Sequence, residues 1–272
     1  VFAPGGPGPF NFHNGVDIVA ADGAPVYPVL SGVAIVNPDN VVVDSHGRWF
    51  QYYHLVPAVR SGQHVDAYQT VLGHIQAPHR HVHLTEGDGR SVTNPLEPGH
   101  LEPYDDRTTP AVDGVHFTGD RGRLVYRLRL KGEVRIAADA HDMPVLPIKG
   151  DWPGLGVTPA TVSWRLETPG GAVAVPWTTV ADFRQTEPGN DDFWRIFAPG
   201  THQNKYGPKG RITEVKMIGL YSYDLTPAGL DTRKLPNGVY TLTVRASDTC
   251  GNSGSLTEQI RVANPAGKKR SA

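Results

Sequence analysis

His81 and His83 stand two apart in the segment APHRHVHLTEG (77–87), and His79 precedes His81 by the same step. On a strand, residues two apart project from one face. This spacing therefore aims two or three imidazoles in one direction. Imidazole ligates divalent metals and exchanges protons near neutral pH. One ligand with a neighbour reaching toward a bound water is an easier arrangement than two adjacent ligands on one zinc. From this segment alone, a solvated strand face lined by histidine is an equally good reading. His13 and Asp17 form a second group, four apart in FHNGVDIV with Gly15 between them. The glycine and the β-branched VDIV predict a strand or strand entry here rather than a helix. Both side chains are zinc-ligand types, at roughly 2.0–2.2 Å from the metal, although the pair alone also suits an exposed turn. A third group is YYHL, Tyr52 to Leu55. Strict alternation puts Tyr52 with His54 on one face and Tyr53 with Leu55 on the other. By spacing alone His54 is one more polar strand residue.

The elements that must carry these groups read as strands. Glycine (31) and proline (24) are abundant in the 272 residues, and no stretch of 12 or more has clean helical spacing of apolar positions. Short β-branched runs such as APVYPVL, GVAIV, NVVVDS, RLVYRLRL, TVSWRLE and GVYTLTVRAS alternate with turn-forming clusters. The pattern predicts a mostly β protein of antiparallel sheets. The length suits two domains. A proline-rich, acidic stretch without periodicity, NPLEPGHLEPYDDRTTPAVDG, predicts the boundary. We take residues 1–108 as one domain, 109–120 as a linker, 121–266 as a second domain and 267–272 as a solvated tail. Eight of the twelve histidines precede residue 84, which concentrates metal or acid–base chemistry in the first domain.

In their order and spacing, HNGVD, YYHL and HVH resemble the three motifs of the lysostaphin-type zinc endopeptidases of bacterial cell walls. That family carries H-x-x-x-D (commonly H-x-G-x-D), then a Y-x-H-L-like segment, then H-x-H. The connecting text is similar too. DGAPVYPVLSGVAIV resembles the family's G-x-P-V strand pair, and VRSGQHVDAYQTVLG its hairpin before the last histidines. The resemblance covers roughly residues 10–100. It implies that His13, Asp17 and His83 bind Zn²⁺ and that His54 and His81 form the catalytic pair beside it, in a groove on an antiparallel sheet. Three protein ligands leave a fourth tetrahedral position for water, whose pKa zinc lowers to about 7. The implied substrate is a peptide cross-link of peptidoglycan, and the implied location is outside the cytoplasmic membrane. Departures from the family pattern are a short segment between Gly73 and His81, a brief region before His13, and unusual residues at Val82 and Thr85. His79 has no family role and reads as a surface residue. His46, His64 and His74 likewise map to none.

The second half resembles an immunoglobulin-like β-sandwich with long inserted loops. NGVYTLTVRASD alternates Tyr240, Leu242, Val244 and Ala246 against Val239, Thr241, Thr243 and Arg245, one face apolar and one mixed. Asp139, Asp142, Asp248 and Asn252 lack EF-hand spacing and read as turn caps. Trp194 and Tyr206 suit either a sugar platform or closure of a small core. The net charge of −1 gives no argument for nucleic acid as a partner. No apolar run reaches the ~18 residues of a membrane span. Cys250 is the only cysteine, so no internal disulfide forms and no thiol nucleophile is indicated. The run PGGPGPF at the start has no following helix and is no phosphate loop. The first residue, Val1, reads as the start of a processed piece, with any signal peptide already removed. Two readings from other classes stand beside the peptidase. One is a non-catalytic peptidase-like module with structural zinc, and the other is an adhesin whose working half is the sandwich.

Overall fold

The computed structural model describes residues 11–143, 155–203, 205–206, 215–217 and 219–265. The glycine-rich start, Trp152, the side chain of Tyr206 and the tail at 267–272 lie outside what is described. The chain is mostly β, built from antiparallel sheets, and divides into two compact units.

The first unit comprises residues 1–105 together with 183–188. Its strands are β1 (Val16–Val19), β2 (Pro25–Val26), β3 (Gly32–Val36), β4 (Asn40–Ser45), β5 (Arg48–Tyr53), β6 (Leu55–Pro57), β7 (His64–Val65), β8 (Gly73–Ile75), β9 (His81–Asp88) and β10 (Ser91–Thr93). The main sheet runs β1-β9-β5-β4-β3-β7, with β10 also on β9, and β2-β8-β6 form a smaller sheet. Period-2 alternation separates the faces of the main sheet. Val41, Val43, Phe50, Tyr52, Val82 and Leu84 turn inward, joined by Leu55, Leu72 and Ile75. The opposite face of β9 carries His81, His83 and Thr85. A segment from far along the chain extends this unit. Thr186 bridges Thr93, Asn94 N–H donates to the Gln185 carbonyl (2.7 Å), and the Phe183 ring meets Phe12 edge-on at 6.1 Å.

The second unit comprises residues 106–182 and 189–272. Residues 111–118, expected as linker, instead form β11 (Ala111–Thr118), paired with β12 (Glu133–His141). A register shift between Val112 and Gly114 breaks the period of two, so Val112 and Val115 stand three apart, and neighbouring prolines add to the irregular reading. Next come β13 (Thr161–Glu167), β14 (Val173–Asp182), β15 (Lys205–Tyr206), β16 (Val215–Met217), β17 (Ser222–Asp224), β18 (Leu230–Asp231), β19 (Gly238–Ser247) and β20 (Ser253–Val262). One sheet runs β11-β12-β17 with β18 on β12, and another runs β14-β13-β19-β20. On β19 the apolar series Tyr240, Leu242, Val244 and Ala246 is buried, as its alternation predicts. Asp248 accepts from the backbone N–H of Asn252 (2.8 Å) and so caps its turn. Its carboxylate, with those of Asp106 and Asp142, forms a buried group whose oxygens lie within 4.8 Å of one another. Trp194 is exposed on a short helix, packed edge-on against Phe193.

Candidate metal centre

Register builds the site. Antiparallel pairing sets Asp17 opposite His83 and Val19 opposite His81, and on the other side of β9 sets Tyr53 opposite His83. Directly opposed residues share a face, so Asp17, His81, His83 and Tyr53 emerge together. His13 lies just before β1, where a turn closed by Gly15 N–H to the His13 carbonyl (3.0 Å) brings it back over the strand. Gly15 is required by close approach: a Cβ there would fall 2.2 Å from the Leu84 carbonyl oxygen and 3.2 Å from His83 Cε1.

His13, Asp17 and His83 each offer a donor atom, and the three lie within 4.8 Å of one another. Asp17 Oδ1 is 3.5 Å from His13 Nε2 and 2.9 Å from His83 Nδ1. Donors about 2.0–2.1 Å from a tetrahedral zinc stand about 3.3 Å apart, so these separations fit such an ion with small adjustment. Two imidazoles and a carboxylate are also a suitable donor set for Zn²⁺.

Hydrogen bonds fix which ring nitrogen of His83 faces the group. Thr85 Oγ1 lies 2.7 Å from the Asn14 carbonyl, which can only accept, so the hydroxyl proton goes there. The same oxygen is 3.1 Å from His83 Nε2 and must accept from it. In the neutral ring, Nδ1 then presents a lone pair to an Asp17 oxygen 2.9 Å away. Two acceptors at that distance repel unless a second proton or a cation lies between them. Burial disfavours the second proton. It lowers the His83 pKa, the Asp17 carboxylate partly reverses this, and His13 and His81 lower it further. A cation is what this geometry suits. Burial alone would raise the Asp17 pKa, but His13 and His83 beside it hold the carboxyl well below the usual range.

His81 is fixed in the complementary way. Its Nδ1 is 2.6 Å from the His79 carbonyl and must donate to it, which leaves the Nε2 lone pair 3.7 Å from Asp17 Oδ1. The His54 ring meets His81 edge-on, with centroids 4.8 Å apart. Strict alternation fails at this point. His54 has a left-handed backbone (φ 62°) between β5 and β6, held by Gln76 N–H to its carbonyl at 2.8 Å. The reversal turns His54 toward His81 instead of following Tyr52, and Leu55 returns to the core. Burial lowers the His54 pKa to about 4, with His79 and His81 adding to the effect.

His79, expected at the surface, is half-buried and stacks on His54 with centroids 4.0 Å and planes 11° apart. Tyr53 also meets His83, at 5.3 Å. Sequence reasoning missed Thr85 as the group that sets His83. It also missed Glu187, whose carboxyl burial pushes up to about 7 while the charge of His13 draws it partly back. No local motif marks Glu187, which enters this unit from 99 residues beyond the end of β9 at Asp88.

No protein-family model and no curated protein matches the chain. Among solved structures the chain is similar to one described as the antimicrobial peptidase lysostaphin from Staphylococcus simulans. The match has 15% identity over 94% of this chain and 95% of that one, with a TM-score of 0.29. A superposition that loose carries no argument, and the site is read from its own geometry.

Proposed function

We propose that the chain is a zinc-dependent endopeptidase that hydrolyses peptide cross-links of bacterial peptidoglycan and works outside the cytoplasmic membrane. The observation that carries the reading is the opposed pair of acceptors, His83 Nδ1 and Asp17 Oδ1, 2.9 Å apart with His13 beside them. Zinc held there would supply Lewis acidity and an acidified water. The chain's own residues supply the rest. His81 Nε2 carries a lone pair on the side of the three ligands and takes a proton as general base. His81 then gives that proton to the leaving amine, and His54, neutral at pH 7, stabilises charge developing on the scissile carbonyl oxygen from its place beside His81. The His79 carbonyl keeps His81 in the accepting tautomer.

The order and spacing of HNGVD, YYHL and HVH support the peptidoglycan substrate. The second unit, read as a β-sandwich, would serve in wall binding or in positioning the peptidase. The test is release of new amino groups from purified peptidoglycan by wild type and by His81→Ala, with zinc content measured in both. Release by wild type, and its loss in a His81→Ala protein that still holds one zinc, is the expected result. Absence of release by wild type from walls of several cross-link types would reject the enzyme and favour a binding module.

A further inference from the structure

The segment Arg121–Lys131, RGRLVYRLRLK, contains five cationic residues and no acidic one. It is firmly held. Gly119 N–H donates to the Arg123 carbonyl (2.8 Å) and Val125 N–H to that of Phe117 (2.9 Å), closing a hairpin on the end of β11. At the far end Leu130 is fully buried, and its N–H donates to the Arg261 carbonyl (2.9 Å). Between these anchors Leu124 is 83% exposed and Tyr126 65% exposed, with Leu128 partly exposed nearby. Arg127 pairs with Glu258 at 3.1 Å. Arg121, Arg123, Arg129 and Lys131 have no ion pair among the described residues.

A polar ligand would explain the cations but not the protruding leucine and tyrosine. An apolar protein partner would explain the leucine but not four cations that have no ion pair among the described residues. An anionic lipid surface uses both. Lys and Arg side chains near such a surface are attracted by its negative potential. Leucine and tyrosine enter the headgroup boundary, where an amphipathic ring is at home. We infer that Arg121–Lys131 is a membrane-surface contact for bilayers rich in anionic phospholipid, with Leu124 and Tyr126 as the inserted side chains. The assignment is independent of the metal centre.

The test is co-sedimentation of the full chain with vesicles of phosphatidylglycerol and phosphatidylcholine, compared with phosphatidylcholine alone. Binding is expected only to the anionic vesicles and should weaken at high salt. Arg121→Gln/Arg123→Gln/Arg129→Gln should lower partition by about 100-fold, since each cation contributes about 5-fold. Leu124→Ser/Tyr126→Ser, which keeps the charge, should lower it several-fold. All altered positions are exposed, and an unchanged unfolding midpoint verifies the fold. Equal binding to neutral vesicles, or none to anionic ones, would overturn the inference. So would arginine-dependent binding to soluble polyglycerol phosphate with no effect of the Leu124/Tyr126 change, which would make the segment a polyanion site instead.

Discussion

Replacing Thr85 by valine removes one hydroxyl from the candidate metal site and nearly nothing else. Thr85 is 1% exposed and valine has almost the same shape, so no cavity opens. Two partners are left unsatisfied. The Asn14 carbonyl loses its donor at 2.7 Å, and the His83 Nε2–H loses its acceptor at 3.1 Å. Each buried polar group left unpaired costs about 1–3 kcal/mol, so the unfolding midpoint falls. The larger consequence is chemical. Without Thr85, His83 is free to place its single proton on Nδ1 and donate to Asp17, which hides the lone pair a metal needs. Loss of such an outer partner typically lowers metal affinity by about 10–100-fold, or about 1.4–2.7 kcal/mol. Zinc affinity is measured by competition against a chromophoric chelator, with the fold verified by circular dichroism. Thr85→Ser restores the hydroxyl and should recover most of the affinity. A folded Thr85→Val protein with the wild-type zinc affinity would refute the argument that this hydroxyl sets the ring.

Gly15→Ala should strongly reduce zinc binding and lower the unfolding midpoint, because its Cβ would fall 2.2 Å from the Leu84 carbonyl oxygen and press on His83; near-wild-type values for both would show that β1 can shift freely. In chelator-treated protein the His54 ring should titrate near 4 rather than 6.5, as followed by NMR; a midpoint at or above 6 would contradict the burial argument. The depressed pKa means that the unfolded chain takes up a proton first, so the His54 contribution to stability is present above 6.5 and lost as pH falls toward 4. Asp142 has the opposite sign. Burial, with repulsion from Asp106 and Asp248, raises its pKa from 3.8 to about 6 despite the Met143 N–H that favours the charge. Its stabilising protonated form is lost as pH rises through that window. The unfolding midpoint of Asp142→Asn should therefore gain on wild type between pH 4 and 7, and a constant difference would count against it.

Much of the fold was legible because the period of two was clean. The buried set on β19 followed directly from alternation, as did the shared face of His81 and His83. The pairing of Asp17 with His83 was not legible, since register depends on how two strands 66 residues apart align. The alternation rule misplaced His54 because one left-handed residue reverses the sense of every side chain after it, and no glycine announced the reversal. The segment read as linker was misjudged at 111–118, where neighbouring prolines masked a strand. Residues 183–188 lie deep in the second half of the sequence, yet they are part of the first unit. A joining of that kind depends on tertiary contacts such as Phe12 with Phe183, which no local pattern encodes.

The H-x-H spacing explains why two neighbouring histidines face one site but not why they differ. The difference lies in which nitrogen the backbone and its neighbours tie down. His81 gives its Nδ1 proton to the His79 carbonyl, and His83 gives its Nε2 proton to Thr85. The two rings thus present opposite nitrogens, Nε2 from His81 and Nδ1 from His83. Nδ1 is the nitrogen nearer the backbone, so His83 reaches a donor position close to the sheet beside Asp17. Nε2 is the farther one, so the lone pair of His81 is carried out beyond that position, 3.7 Å from the same Asp17 oxygen. On the proposed reading, one strand face would supply a ligand at short reach and a base at longer reach. Exchanging the two tethers should exchange the two roles. A Thr85→Val change alone, by releasing His83, is expected to impair metal retention first and to affect proton transfer only as a consequence of metal loss.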